Sequence, residues 1–307
     1  MSFEILQDKI RKLKNPTVAG LDPKPEYVPP HIRSASYQEH GATLEGAADA
    51  LWKFNQGLID ALCDIVPAVK PQAAYYERLG WQGLAVMEKT IRYAREKGMY
   101  VIADIKRGDI GTTAQAYAEG WLGKIAVEGN TFTPFGADSV TVNGYMGSDA
   151  IDPFLEICKA EGKTLFVLIK TSNPSSGELQ DMVAGDRLVY QVMGDLTERL
   201  GKGTEDKYGY TCAGAVVGAT YPSDLRQLRK RLERTFFLVP GYGAQGGTAE
   251  DVQYAFDKYG HGAIINASRS IMCAWQKTGG DGTDYQQAAR NAAIAMRDDI
   301  KRFVTIV

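Results

Sequence analysis

The sequence predicts an α/β protein folded as a closed (β/α)8 TIM barrel, and three observations predict it. Short β-rich apolar runs recur about eight times along 307 residues. Each run is followed by a polar or glycine-containing loop and then by a helical pattern. The alternation runs from end to end with no repeat, low-complexity tract or Pro/Gly/Ser linker. Alternating strand and helix means parallel strands joined by right-handed crossovers. Eight such units favour a closed barrel over a doubly wound open sheet, which usually has fewer strands, and residues 1–307 then form one domain.

The elements follow in order. Met1 to Asn15 sets Glu4, Asp8, Lys9, Arg11, Lys12 and Lys14 between apolar residues and lacks the long apolar core of a signal peptide, so an amphipathic helix is expected. Val18 to Leu21 is the first strand. Leu44, Ala47, Ala48, Leu51, Leu58, Ile59 and Leu62 then fall at helical spacing, as a crossover helix on a sheet requires. Ile65 to Val69 is the second strand, Trp81 to Lys97 a helix, and Tyr100 to Ile105 the third strand. Strands follow at Ser139 to Val142, Leu165 to Ile169, Ala215 to Val217, Phe236 to Val239 and Ala263 to Ile265, with a helix over Ala249 to Tyr259 before the last. Two long loops, at about 23–43 and 171–212, leave strand C-termini, the side on which barrel enzymes place their active sites.

Composition narrows the function. Lys+Arg 35 against Asp+Glu 37 leaves a net charge of −2, without the basic excess of a nucleic-acid binder. Hydrophobic residues at 44% and charged residues at 23% call for a folded core. No apolar run approaches the roughly 18 residues of a membrane helix, so no membrane partner is expected. Cys63, Cys158, Cys212 and Cys273 are dispersed without CxxC pairing, which suits a reducing cytoplasm and indicates neither disulfide nor zinc. His31, His40 and His261 lie far apart, show no triad or metal spacing, and receive no role. Tyr75-Tyr76, Trp81 and Phe236-Phe237 are assigned to the core.

The segment Asp104-Ile105-Lys106-Arg107-Gly108-Asp109 begins at the end of the third strand. Side chains at i and i+2 of a strand share a face, so Asp104 and Lys106 should both point to the barrel mouth. A structural ion pair capping the strand would read the same way; what favours chemistry is the strand-end position and the further charge of Asp109. Lys70, ending the adjacent second strand, extends the row to Lys, Asp, Lys, Asp. Carboxylate neighbours favour the charged amine against desolvation, so Lys106 is read as a buried proton donor, not as a Schiff-base nucleophile.

Pro240-Gly241-Tyr242-Gly243-Ala244-Gln245-Gly246-Gly247 follows the seventh strand and Ser268-Arg269-Ser270 the eighth, where barrels commonly bind phosphate. Tight glycine turns beside an unrelated arginine are the alternative; Arg269, with its bidentate fork, favours phosphate. Asp22, in Gly20-Leu21-Asp22-Pro23, reads as a turn signal or a hydroxyl ligand on the rim.

These segments, together with Lys70-Pro71-Gln72, Ile110-Gly111-Thr112-Thr113 and Thr171-Ser172-Asn173-Pro174, occur in order over almost the whole chain and resemble the orotidine 5′-phosphate decarboxylase family, in its subgroup of longer bacterial-type chains. The resemblance implies a homodimeric barrel with shared active sites that converts orotidine 5′-monophosphate to UMP and CO2, the last step of pyrimidine nucleotide synthesis, with no metal or cofactor. It implies that Lys70, Asp104 and Lys106 form the charged array of one subunit. Asp109 would be contributed across the dimer interface, with Thr113 near the ribose. Asp22 and Lys70 would bind ribose hydroxyls, Ser172 the pyrimidine edge, and Gln245 and Arg269 the phosphate; Lys106 would protonate C6. Two departures stand out: Lys170 where arginine is expected, and Tyr242 in place of a commoner aliphatic. A sugar-phosphate enzyme of the same superfamily resembles this core but uses Mg²⁺; the lysine ending the second strand speaks against it. A non-catalytic phosphate-binding barrel would leave the charged row without a purpose.

Overall fold

A computed structural model describes residues 2–243 and 246–307. Eight parallel strands close into a barrel: β1 (Thr17–Leu21), β2 (Ala68–Pro71), β3 (Tyr100–Arg107), β4 (Ser139–Val142), β5 (Thr164–Lys170), β6 (Ala213–Val217), β7 (Phe237–Val239) and β8 (Ala263–Ala267). Neighbours in the barrel are neighbours in sequence, and β8 closes on β1 with Thr17 opposite Ile265. Each strand overlaps the run that predicts it. Sheets covered on both faces read as continuous apolar stretches, and β1, β2, β4, β6, β7 and β8 are buried along their whole length.

The helix Ser2–Leu13 lies at the N-terminal end of the barrel. Phe3, Leu6 and Ile10 are buried, and the Phe3 ring stacks on Phe236 at 4.7 Å and tilts against Phe166 at 5.0 Å. Helix Leu44–Leu62 starts at Thr43, whose side chain accepts the Gly46 N–H, and buries Leu51, Phe54, Leu58 and Leu62. Helix Gly80–Glu96 matches expectation to within a residue.

Three stretches differ. Residues 23–43, read as a loop, contain a 3-10 turn, Pro25–Tyr27, and a helix, Pro30–His40, that buries only Ser36 and so shows no apolar period. Residues 171–212, read as a loop, contain the 13-residue crossover helix Val189–Gly201; its buried face is Tyr190, Gly194, Thr197 and Gly201, mostly too small and polar to signal itself. What remains is a short covering segment with a two-stranded hairpin, Val183–Ala184 with Arg187–Leu188. The helix expected over 249–259 is only Ala249–Val252 plus a 3-10 turn, Gln253–Ala255. A second hairpin, Ile125–Val127 with Asn130–Phe132, has no counterpart in the sequence reading.

Among the described residues, no helix is long and apolar enough to cross a membrane. Of the aromatic residues assigned to the core, Tyr76, Phe236 and Phe237 are buried, but Trp81 is 74% exposed and Tyr75 lines the cleft at the barrel mouth.

Candidate active site

The C-terminal ends of the strands open into a cleft of about 520 Å³. Asp22 (after β1), Lys70 (β2), Asp104 and Lys106 (β3), Ser172 (after β5) and Arg269 (after β8) all line it. Glycine shapes two of its walls by close approach. A Cβ on Gly20 would come within 2.0 Å of Ser268 Oγ, and one on Gly218 within 2.9 Å of the Ser172 side chain.

The charged row is continuous on one side. Lys70 Nζ donates to Asp104 Oδ2 at 2.8 Å and lies 3.8 Å from Asp22 Oδ1; Lys106 Nζ donates to Asp104 Oδ1 at 2.6 Å. Burial alone would push the Lys70 ammonium down, but Asp104 and Asp22 outweigh it and hold it above the ordinary lysine range. Burial alone would likewise raise Asp104, and the two ammonium groups outweigh it and hold the carboxyl well below its usual range.

Asp104 and Lys106 meet, though not through a regular pleat. β3 pairs with β4 as Ala103 to Val140 and then Arg107 to Val142, so the three residues 104–106 face Thr141 alone. Lys106 carries a φ of 48° in this bulge, a left-handed conformation that costs a side-chain-bearing residue about 1–2 kcal/mol. Lys106 is also less buried than its assigned role suggests: within this chain its side chain is 43% exposed. Asp109 does not reach it. The Asp109 carboxylate accepts the Ile110 N–H at 2.8 Å, and Asp109 and Thr113, the latter exposed in the first turn of helix Gly111–Trp121, stand outside the cleft lining.

At the opposite lip, the loop after β7 folds on itself: Gly243 N–H donates to Gly247 O at 2.8 Å and Gly247 N–H to Gly241 O at 3.0 Å. Gly241 has a φ of 101°, which glycine adopts without strain. Gln245 lies outside the described residues. Tyr242 lines the cleft with its ring and donates its hydroxyl to Asp299 Oδ2 at 2.8 Å, tying this loop to the C-terminal helix Tyr285–Lys301. Lys170 does not line the cleft. Its side chain is 1% exposed, pairs with Asp181, lies 3.9 Å from Asp224, and sits over the rings of Tyr221 and Tyr190.

Residues to which the sequence assigned no individual role also line the cleft: Lys24, Gln72, Thr141 and Asn266. Thr141 and Asn266 each lie one residue before the last of their strands, β4 and β8, and looking for polar side chains near the C-terminal ends of those strands would have found both. Asp22 Oδ1 and Asn266 Oδ1 are buried and accept no hydrogen bond among the described residues, an arrangement suited to a ligand that brings hydroxyl donors.

Both carboxylates of the cleft, Asp22 and Asp104, face the Lys70 ammonium, which takes the place a divalent cation would need between them. Elsewhere, His40 joins Glu39 and Asp49, a grouping its sequence spacing does not advertise, but Lys53 Nζ already lies 2.6 Å from Asp49 and 3.2 Å from Glu39.

Comparison with known proteins agrees with this geometry. The sequence model of the orotidine 5′-phosphate decarboxylase / HUMPS family matches residues 43–278. The chain is 41% identical to the orotidine 5′-phosphate decarboxylase of Rhodopirellula baltica over 289 residues, 93% of this chain and 94% of that one. It is 41% identical to the Clostridium perfringens (strain SM101) protein of the same name over 305 residues, 99% of each. The solved structure of Leishmania donovani OMP decarboxylase superposes with a TM-score of 0.69 at 30% identity, covering 97% of this chain and 99% of that one. A parallel barrel with a Lys-Asp-Lys row at its mouth, and full-length likeness in sequence and structure, have one common reading: this chain belongs to the orotidine 5′-phosphate decarboxylase / HUMPS family.

Proposed function

We propose that the protein decarboxylates orotidine 5′-monophosphate to UMP and CO2 in pyrimidine nucleotide synthesis, in the cytoplasm, without metal or cofactor. The observation that carries the proposal is the Lys70–Asp104–Lys106 row, bonded at 2.8 and 2.6 Å, in a cleft whose far lip presents Arg269.

Breaking the C6–carboxylate bond leaves an electron pair on a ring carbon with no attached sink, so negative charge must be stabilised where it forms. Lys106 delivers its proton to C6 as CO2 departs, and its amine is reprotonated from water. Asp104 faces the departing carboxylate and, with Lys70, keeps the Lys106 ammonium aimed at C6. Asp22 and Lys70 bind the ribose hydroxyls, with Thr113 nearby; Ser172 meets the pyrimidine edge; Arg269 and Gln245 hold the phosphate, whose binding energy positions the reacting carbon. Asp109 completes the site of a second subunit in a homodimer. In support, Asp109 lies outside its own cleft, and Lys106 is left part-exposed in the single chain.

The test is protein freed of metal with EDTA, mixed with orotidine 5′-monophosphate and followed by ultraviolet absorbance. Turnover at the untreated rate is expected. No turnover with or without Mg²⁺ would remove the decarboxylase reading, and turnover only with Mg²⁺ would favour a metal-dependent relative.

A further inference from the structure

Thr141 stands where β3 departs from its ladder. Residues 104–106 bulge against this single residue of β4, and the Lys106 N–H, which the bulge takes out of backbone pairing, donates instead to Thr141 Oγ1 at 2.9 Å. The same hydroxyl donates its own proton to Asp104 Oδ1 at 2.8 Å. Asp104 Oδ1 is also the oxygen that receives Lys106 Nζ, at 2.6 Å. One side chain, 1% exposed, therefore bonds the backbone of Lys106 and the carboxylate that holds the head of Lys106. The left-handed φ of 48° at Lys106 is a conformation the chain adopts only where its surroundings over-determine it, and this pair of hydrogen bonds supplies the constraint.

We propose that Thr141 is a positioning residue for the decarboxylation: its hydroxyl fixes Lys106 in the bulged conformation and orients Asp104, so that the ammonium is aimed before substrate arrives. The proposal rests on the decarboxylase reading of the same site. It accounts for two facts together, the bulge at the charged residues and a buried hydroxyl on a strand whose other buried polar side chain, Ser139, makes no such bond. A hydroxyl that only satisfied a buried donor would need just one of the two contacts. A positioned ammonium matters most in the transition state, where a small displacement lowers turnover more than it lowers binding.

The experiment compares wild type with Thr141→Val, which keeps the shape and removes the hydroxyl, and Thr141→Ser, which keeps the hydroxyl. Turnover of orotidine 5′-monophosphate, binding of UMP and thermal melting are measured on each. Thr141→Val is expected to lower kcat by roughly 10- to 100-fold, the scale of a buried acceptor and donor left unpaired, while UMP binding stays within about threefold. Thr141→Ser is expected to recover most of the loss. If the Val variant does not fold, Thr141→Ala removes the hydroxyl without placing a methyl against the Asp104 carboxylate and carries the same expectation. A folded variant lacking the hydroxyl with kcat within threefold of wild type overturns the proposal, as does an equal loss in UMP binding or a failure of serine to rescue. Wild type inert toward orotidine 5′-monophosphate would instead overturn the decarboxylase reading on which the proposal stands.

Discussion

Charge at the site is held by mutual support, and that has a consequence for pH. Asp104 is depressed by two ammonium groups, so the stability it lends is present above the ordinary carboxylate value of about 3.9 and is lost only as pH falls through its lower folded value. Lys70 is raised, so its contribution is complete below the ordinary lysine value of about 10.4 and lost only as pH rises through its higher folded value. The row thus keeps its charges across the neutral range. In the folded protein the ¹³C resonance of the Asp104 carboxyl should not titrate between pH 7 and about 4.5, and a midpoint above 4 would contradict the geometry. At the far lip, Arg269→Ala removes one charge-assisted contact of about 1.5–3 kcal/mol and should weaken UMP about 10- to 150-fold, while uridine, which lacks the phosphate, binds both proteins alike. Equal weakening of the two ligands would make Arg269 structural. The sequence led to Lys70, Asp104 and Arg269 because each ends an apolar strand or follows one. Thr141 lies one residue before the end of its strand, but a hydroxyl carries no charge to draw notice, and a left-handed lysine has no sequence signature.

At the scale of elements, β5 and the segment after it belong together. The Lys170 ammonium pairs with Asp181 in the covering segment, while Gln180 accepts the Thr171 N–H at 2.9 Å and donates to Thr171 Oγ1 at 2.7 Å. These contacts clamp the stretch that carries Ser172 and Asn173 into the cleft. Lys170→Met leaves Asp181 and Asp224 without their cation. Both carboxylates retain some access to water, so the cost should fall below that of breaking a fully buried pair, about 1–3 kcal/mol. Amide exchange over 173–188 should quicken, and Lys170→Arg should restore most of the protection. A methionine variant with wild-type melting and exchange would show that the clamp is idle. The barrel strands were legible because burial on both faces makes them predominantly apolar, with polar side chains few among them. The helix Val189–Gly201 was not, since its buried face relies on Gly194, Thr197 and Gly201, small residues that let it sit close to the barrel: a Cβ on Gly201 would meet Thr211 Oγ1 at 2.3 Å. Hydrophobic period is a sign of large buried side chains, and where close approach replaces them the period fades.

For the whole molecule, the open question is how many chains make one site. Asp109 lies three residues beyond Lys106, past the bulge, and stands outside its own cleft lining. If it serves a partner's site, Asp109→Ala and Lys106→Ala are each inactive as homodimers yet complementary when mixed. In a heterodimer one site receives both lesions and the other neither. At equal concentrations with statistical exchange, half the dimers are mixed and each has one intact site of two, so about a quarter of wild-type activity should return. The rise should follow subunit exchange in time, measured by native mass spectrometry of chains of different mass, and should vanish when the two variants are cross-linked as homodimers before mixing. A barrel that kept Asp109 for its own site, or used it only to cap its loop through the Ile110 N–H, would regain nothing on mixing. Confirmed exchange without recovered activity would therefore remove the shared site and leave the barrel, the charged row and the proposed reaction untouched, because Lys70, Asp104, Lys106 and Arg269 meet within a single chain.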